Sequence, residues 1–195
     1  MEVYPFFSID PKLKEVARRA EEAAQPYFQE IEAIQRYNQQ KMLAAFNRAG
    51  VSESHFVGST GYGYGDRGRD VLDQVYAYAL GAEDALVRHN FVSGTHTLTV
   101  ALFGMLRPGD KMLCVTGTPY DTIQGVIGME GREEPGSLKE FGIQYEELAL
   151  RPDGTPDLEV MEQRITPAYK MIYIQRSRGY SLRPSLRVED IAPIV

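Results

Sequence analysis

From Asp10 to Arg48 the apolar positions recur three or four residues apart: Leu13, Val16, Ala17, Ala20 and Ala24, then Ile31, Ile34, Met42, Leu43 and Phe46. That spacing is the period of one helix face. Asp10-Pro11 is a start signal, a capping aspartate followed by proline in the first turn. Pro26 predicts a break or kink near Gln25, so two joined helices and one bent helix both fit. Glu21, Glu22, Glu30 and Glu32 fall among the polar positions and read as solvated helix residues rather than metal ligands. Residues 1–57 therefore form a helical arm, expected to pack against another domain or subunit. His55, just beyond the helix, suits a surface or capping role. A further helix is expected over 70–80, with Val71, Leu72, Val75, Tyr76 and Ala79 on its apolar side and Gly81 as its C-cap.

Beyond residue 82 the period changes, and short apolar runs alternate with helical stretches. Strands are expected at 84–88, 111–115, 143–150 and 170–175. Helices are expected at 95–106 and 120–128, and from an Asp157 cap through Arg164. Arg107-Pro-Gly-Asp110, Thr116-Gly-Thr-Pro119 and Arg151-Pro-Asp-Gly154 are the turns between them, and 129–138 reads as a loop. This alternation argues for an α/β fold, a mostly parallel sheet with helices on both faces, over residues 58–195. Residues 188–195 resemble the opening of another helix. The sheet is accordingly expected to be incomplete, and the chain a fragment or one piece of a cleaved protein.

Composition narrows the class. The 195 residues are 43% apolar, enough for a sizeable core, and the formal net charge of −6 speaks against a general nucleic-acid binder. No uncharged run reaches membrane-spanning length and no leader pattern opens the chain. Cys114 is the only cysteine, so an intrachain disulfide is impossible and a cytoplasmic setting fits. His55, His89 and His96 do not match zinc-ligand spacings, and no metal is expected.

In parallel sheets, ligands lie beyond the C-terminal strand ends. Ser93–Thr97, Gly117–Tyr120 and Arg176–Tyr180 all take that position in the expected topology. Ser93-Gly94-Thr95 can point backbone N–H groups and hydroxyls at an anion such as a cofactor phosphate. Ser93 and Thr95 can equally cap the helix that follows. His96 can bond to such an anion or pack beside a ring. Tyr120 is placed to lie against a planar ligand, or it is a core tyrosine at a helix start. Cys114 reads as buried and inert. The arginines of Gln175-Arg-Ser-Arg-Gly-Tyr-Ser-Leu-Arg183 can hold a substrate carboxylate or a ring oxygen, or form a basic surface loop.

The most unusual stretch is Gly58-Ser-Thr-Gly-Tyr-Gly-Tyr-Gly-Asp-Arg-Gly-Arg69, with five glycines. It lacks the Gly-Lys-Ser/Thr ending of a nucleotide P-loop, and no GxGxxG follows a strand. Arg67 and Arg69 can fork onto phosphate or carboxylate oxygens. The run suits a loop at an oligomer interface that carries such a group into a neighbour's site.

Four stretches together resemble a known family: Gly61-Tyr-Gly-Tyr-Gly-Asp-Arg-Gly-Arg-Asp70, Asn90-Phe-Val-Ser-Gly-Thr-His-Thr97, Val115-Thr-Gly-Thr-Pro-Tyr-Asp-Thr122 and Ile174-Gln-Arg-Ser-Arg-Gly-Tyr-Ser-Leu-Arg-Pro-Ser-Leu186. They look like the N-terminal part of the methionine gamma-lyase-like, or aluminium-resistance, family of pyridoxal-phosphate enzymes with the aspartate-aminotransferase fold (fold type I). The resemblance implies a carbon–sulfur lyase acting on a sulfur-containing amino acid through a lysine aldimine and a carbanion. It further implies a homodimer or homotetramer with active sites shared between subunits. Ser93, Gly94 and Thr95 would take the cofactor phosphate and Tyr120 would stack on the pyridine ring. Tyr64 and Arg67 would reach the neighbour's phosphate, with Tyr62 or Arg69 the alternative members of that pair. Ser177 or Arg178 would lie near the ring hydroxyl, where related enzymes often use asparagine. The Schiff-base lysine and the aspartate that pairs with the ring nitrogen are expected beyond residue 195. Lys111 and Lys170 begin strands and are poor substitutes, so this chain alone is expected to lack lyase activity.

Overall fold

The computed structural model describes residues 6–129, 131 and 135–195. They divide into two compact units, one ending at His89 and one running from Asn90 to Val195.

The first unit is built on α1 (Pro11–Arg48) and α2 (Arg67–Leu80), joined through a 3-10 turn at Glu53–Phe56. Asp10 caps α1, accepting from the Lys12 N–H at 2.7 Å. Pro26 lies inside α1 and does not divide it. Proline there removes the N–H that would otherwise bond to the Glu22 carbonyl, and its ring crowds that carbonyl. Ala45 is the buried residue of α1, and it packs against Val75 and Ala79 of α2. Leu13, Val16, Ile31, Ile34 and Leu43 remain more than half exposed. Helix α2 starts at Arg67, earlier than the expected 70, because Asp66 caps it, accepting from the Arg69 N–H at 3.3 Å. It stops at Gly81, whose φ of 68° suits glycine. Arg48 lies over the Tyr78 ring, 4.1 Å from its centroid.

The expected strand at 84–88 does not form. The Val87 N–H and the Arg88 guanidinium both donate to Asp73 Oδ1, at 2.8 and 2.7 Å. That backbone donor is satisfied by a side chain, and no neighbouring strand takes it up.

The second unit carries α3 (Gly94–Met105), β1 (Lys111–Cys114), α4 (Asp121–Ile127), β2 (Gln144–Glu147), α5 (Leu158–Arg164), β3 (Met171–Tyr173) and α6 (Val188–Ile191), then a 3-10 turn at Ala192–Ile194. The three strands form an open parallel sheet in the order β2-β1-β3. Central β1 is enclosed beyond its first residue: Met112, Leu113 and Cys114 have no exposed surface. Alternation along β1 sends successive side chains to opposite faces. Met112 joins Leu102 of α3, Leu106 just after it, and Ile123 and Ile127 of α4. Leu113 joins Met161 of α5, with Ile165 and Ile194 alongside. The fold is α/β with helices on both faces of the sheet, as the alternation predicted. Of the loop expected at 129–138, residues 130 and 132–134 lie outside the described residues. Its far end is anchored at Leu138, which is buried and donates its N–H to the Val126 carbonyl at 2.8 Å.

Candidate active site

The chain leaves all three strands at the same edge of the sheet, because the strands are parallel. There the exits of β1, β2 and β3 line a cleft of about 470 Å³ whose walls include Thr116, Tyr120, Glu147, Gln175, Arg178 and Tyr180. Two of the three expected ligand turns, after β1 and β3, therefore meet as parallel-sheet topology requires. The third, Ser93–Thr97, does not follow a strand, a correction to the expected order. It reaches the same region through a side chain, since Thr95 Oγ1 lies 2.8 Å from Thr122 Oγ1 at the start of α4.

Ser93 caps α3: its Oγ accepts from the His96 N–H at 3.1 Å, and its carbonyl accepts from the Thr97 N–H at 3.0 Å. The capping and anion readings of this serine are compatible. Among the described residues, the Gly94 and Thr95 N–H groups have no acceptor. A Cβ built on Gly94 would meet nothing within 4 Å, so the approach is open. Free N–H groups at the positive end of a helix dipole, beside two hydroxyls, are a donor set that fits a phosphate. His96 turns towards Phe91, edge to face with ring centroids 6.0 Å apart. Its Nδ1 accepts from the Val92 N–H at 3.4 Å.

Tyr120 leads into α4, and its ring lies 5.7 Å, centroid to centroid, from that of Tyr180. The hydrogen bond with Tyr180 holds the Tyr120 phenol above its ordinary pKa, with burial adding to the effect. Gly179 permits this packing, for a Cβ there would lie 2.8 Å from Tyr120 Cδ2. The turn before Tyr120 is held from the β2 side by Glu147. One of its carboxylate oxygens accepts from Thr118 Oγ1 at 2.9 Å and the other from the Tyr145 hydroxyl at 2.6 Å. Burial pushes the Tyr145 phenol far up, and the bond to Glu147 adds to the shift. Cys114 is buried as expected, its thiol raised above its ordinary pKa by that burial and donating to the Gly117 carbonyl at 3.0 Å.

The arginines after β3 have separate tasks. Arg176 donates to the Leu186 carbonyl at 2.9 Å. Arg183 donates to the Ser177 and Pro184 carbonyls at 2.9 and 3.1 Å. Both are committed to holding the loop's own backbone. Arg178 lines the cleft, and its guanidinium has no partner among the described residues. Ser177 is exposed and supplies its carbonyl to the loop.

In the first unit, Tyr64 is 91% exposed and Tyr62 82%, so neither ring is used in that unit's own packing. Arg67 is exposed, with no side-chain partner among the described residues, whereas Arg69 binds Asp66 at 3.3 Å and the Gly61 carbonyl at 3.5 Å. Of the two arginines, Arg67 is the one left available. His55 caps the 3-10 turn, its Nδ1 accepting from the Ser52 N–H at 3.0 Å.

Thr122, Glu147, Gly179 and Gln175 were not singled out from the sequence. Only Gln175 left a signal there, as a polar residue directly after the apolar run Met171–Ile174. Among the described residues no three His, Cys, Asp or Glu groups gather as they would around a metal ion. No described helix is long and apolar enough to cross a membrane.

The profile of the methionine gamma-lyase family matches residues 13–195. A structure from Clostridium novyi NT, named a carbon–sulfur lyase involved in aluminium resistance, is 46% identical with a TM-score of 0.88, over 95% of this chain and 44% of that one. A structure from Listeria innocua, provisionally named a cystathionine beta-lyase involved in aluminium resistance, is 44% identical with a TM-score of 0.89, over 94% of this chain and 45% of that one. The uncharacterized protein YnbB of Bacillus subtilis strain 168 is 43% identical over 183 residues, 94% of this chain and 44% of its own length. The chain thus spans less than half the length of these relatives.

Proposed function

Because the chain belongs to the methionine gamma-lyase family, we propose that it forms part of a pyridoxal-phosphate-dependent carbon–sulfur lyase acting on a sulfur-containing amino acid. One observation carries the reading: the free N–H groups that open α3 are tied through Thr95–Thr122 to the helix start that carries Tyr120. A phosphate site and an aromatic platform are thereby joined at one sheet edge.

Ser93, Gly94 and Thr95 would hold the cofactor phosphate, and Tyr120 would lie against the ring. Arg178, with Ser177 beside it, would face the ring hydroxyl. Tyr64 and Arg67 would serve the phosphate bound by a second copy of the chain, in a homodimer or homotetramer with shared sites. When bound, pyridoxal phosphate supplies the electron sink for loss of the substrate's α-proton and of a sulfur leaving group. A tyrosine phenol is protonated at neutral pH, and the upward shift at Tyr120 acts in the same direction, so the phenol would bring no negative charge to the ring. In this reading the helical arm, residues 1–57, serves assembly, and residues 58–195 contribute to the cofactor-binding domain. The apolar stripe of α1 supports that role, and replacing both Ile31 and Ile34 with glutamate should lower the sedimenting mass.

Lys111 and Lys170 lie at the N-terminal edge of the sheet, where the Lys170 N–H donates to the Lys111 carbonyl at 2.9 Å. That is the opposite edge from the cleft. In this reading, as the family resemblance implies, the Schiff-base lysine and the aspartate for the ring nitrogen lie in the part of the relatives that this chain does not span. The chain alone is expected to lack lyase activity, and a cytoplasmic setting remains part of the proposal.

The test uses pyridoxine phosphate, which has no aldehyde and cannot couple to surface lysines. Equilibrium dialysis against the full chain should show binding at least ten times tighter than for pyridoxine. Equal affinities, or no binding of either, would overturn the reading.

A further inference from the structure

Gln175 ties the two sides of the cleft together. It follows β3, and its backbone N–H donates to Thr116 Oγ1 at 2.8 Å. Thr116 is buried and follows β1. The Gln175 side chain works in both directions. Its Oε1 accepts from the Tyr120 N–H at 2.7 Å, and its Nε2 donates to the Ser177 carbonyl at 3.2 Å. A donor on one side and an acceptor on the other admit a single orientation of the amide. The Ser177 carbonyl is also held by Arg183, which fixes the far end of this bridge.

The Tyr120 carbonyl is held by α4, accepting from the Ile123 N–H at 2.9 Å, and this bridge is what holds its N–H. Its side chain does not cap α4. The preceding turn is fastened by Glu147 at Thr118, two residues upstream. Gly179 and Tyr180, which contact the Tyr120 ring, belong to the loop whose start Gln175 and Arg183 hold.

We propose that Gln175 is the positioning residue for Tyr120: its amide sets the backbone from which the ring projects and, through Ser177, the loop against which the ring packs. The inference rests on the reading of Tyr120 as the cofactor platform only for its functional consequence, because the positioning itself is a property of the free chain.

Three substitutions separate the two halves of the amide. Gln175→Glu keeps an acceptor for the Tyr120 N–H but sets a carboxylate against the Ser177 carbonyl. Gln175→Met keeps the length and loses both bonds. Gln175→Asn keeps the amide on a stem one carbon shorter, out of reach of both partners. Amide hydrogen exchange, followed by NMR on the full chain, reads Tyr120 directly. Its protection should fall roughly 2- to 10-fold in Gln175→Met and Gln175→Asn, the scale of one lost hydrogen bond, and persist in Gln175→Glu. Protection at the β1 amides should be unchanged, which separates loss of position from loss of fold. Pyridoxine phosphate affinity, measured by dialysis, should fall roughly 5- to 10-fold in Gln175→Met and show no further fall when the same change is made in a Tyr120→Leu background. Unchanged Tyr120 exchange in Gln175→Met would overturn the proposal, as would full additivity with Tyr120→Leu. If the unmodified chain binds no pyridoxine phosphate while the exchange pattern holds, the cofactor reading falls and the positioning role stands.

Discussion

Thr95 and Thr122 meet hydroxyl to hydroxyl at 2.8 Å, so the starts of α3 and α4 are joined by one side-chain bond across 27 residues of sequence. Thr122→Val keeps the shape and removes that bond. Affinity for pyridoxine phosphate should fall roughly 3- to 10-fold, the range set by one hydrogen bond. Thr122→Ser should restore it. Dialysis against the three proteins checks this, and equal affinities would show that the bond does not serve the phosphate site.

Ser93 lets capping and anion binding be told apart. Ser93→Ala removes the cap and should cost about 1 kcal/mol in a urea titration. Ser93→Asp keeps a capping oxygen and complements the helix dipole, so stability should stay near wild type. The same aspartate sets a negative charge where the phosphate would sit, and pyridoxine phosphate binding should be lost. Binding retained in Ser93→Asp would place the phosphate elsewhere.

Gly179 has φ of 57° and sits against the Tyr120 ring. Gly179→Ala meets two obstacles: left-handed backbone strain of roughly 1–2 kcal/mol and a methyl 2.8 Å from Tyr120 Cδ2. The expected result is a lower melting temperature together with a changed tyrosine signal in near-ultraviolet circular dichroism. A normal spectrum would mean that the loop does not set the ring.

Asp73 holds the segment after α2 through Arg88 and the Val87 N–H. The Arg88 hydrogen bond, reinforced by the one from Val87, lowers the Asp73 pKa below its ordinary value. A lowered folded pKa contributes stability that is present above the ordinary aspartate value, near 4, and is lost as pH falls through the folded value. Asp73→Asn should destabilise the chain by about 1 kcal/mol at pH 7. The difference from wild type should shrink as pH drops below ~4. Urea titrations at pH 7 and pH 3 measure it, and a pH-independent difference would remove the ion pair from the account.

The cleft was partly legible in the sequence. Glycine-rich turns after apolar runs marked the exits of β1 and β3, and parallel topology brought those exits together. The residues that lock the exits to one another were not legible. Gln175 is 55 residues from Tyr120, and Glu147 is 29 residues from Thr118. Nothing in the local sequence of either partner names the other.

The sequence by itself determined the chain's punctuation. Asp10, Ser93 and Asp157 start helices, and Gly81 ends one, because a cap bonds only two to four residues away and is complete within its own segment. Strand status and burial were decided by tertiary structure. Residues 84–88 have an apolar run suited to a strand, yet Asp73 takes the Val87 N–H from another element. The apolar stripe of α1 has helical spacing, yet it stays largely exposed within this chain. A helix closes its hydrogen bonds within its own segment. A strand, an apolar face and a binding cleft are completed by residues that only the fold brings near.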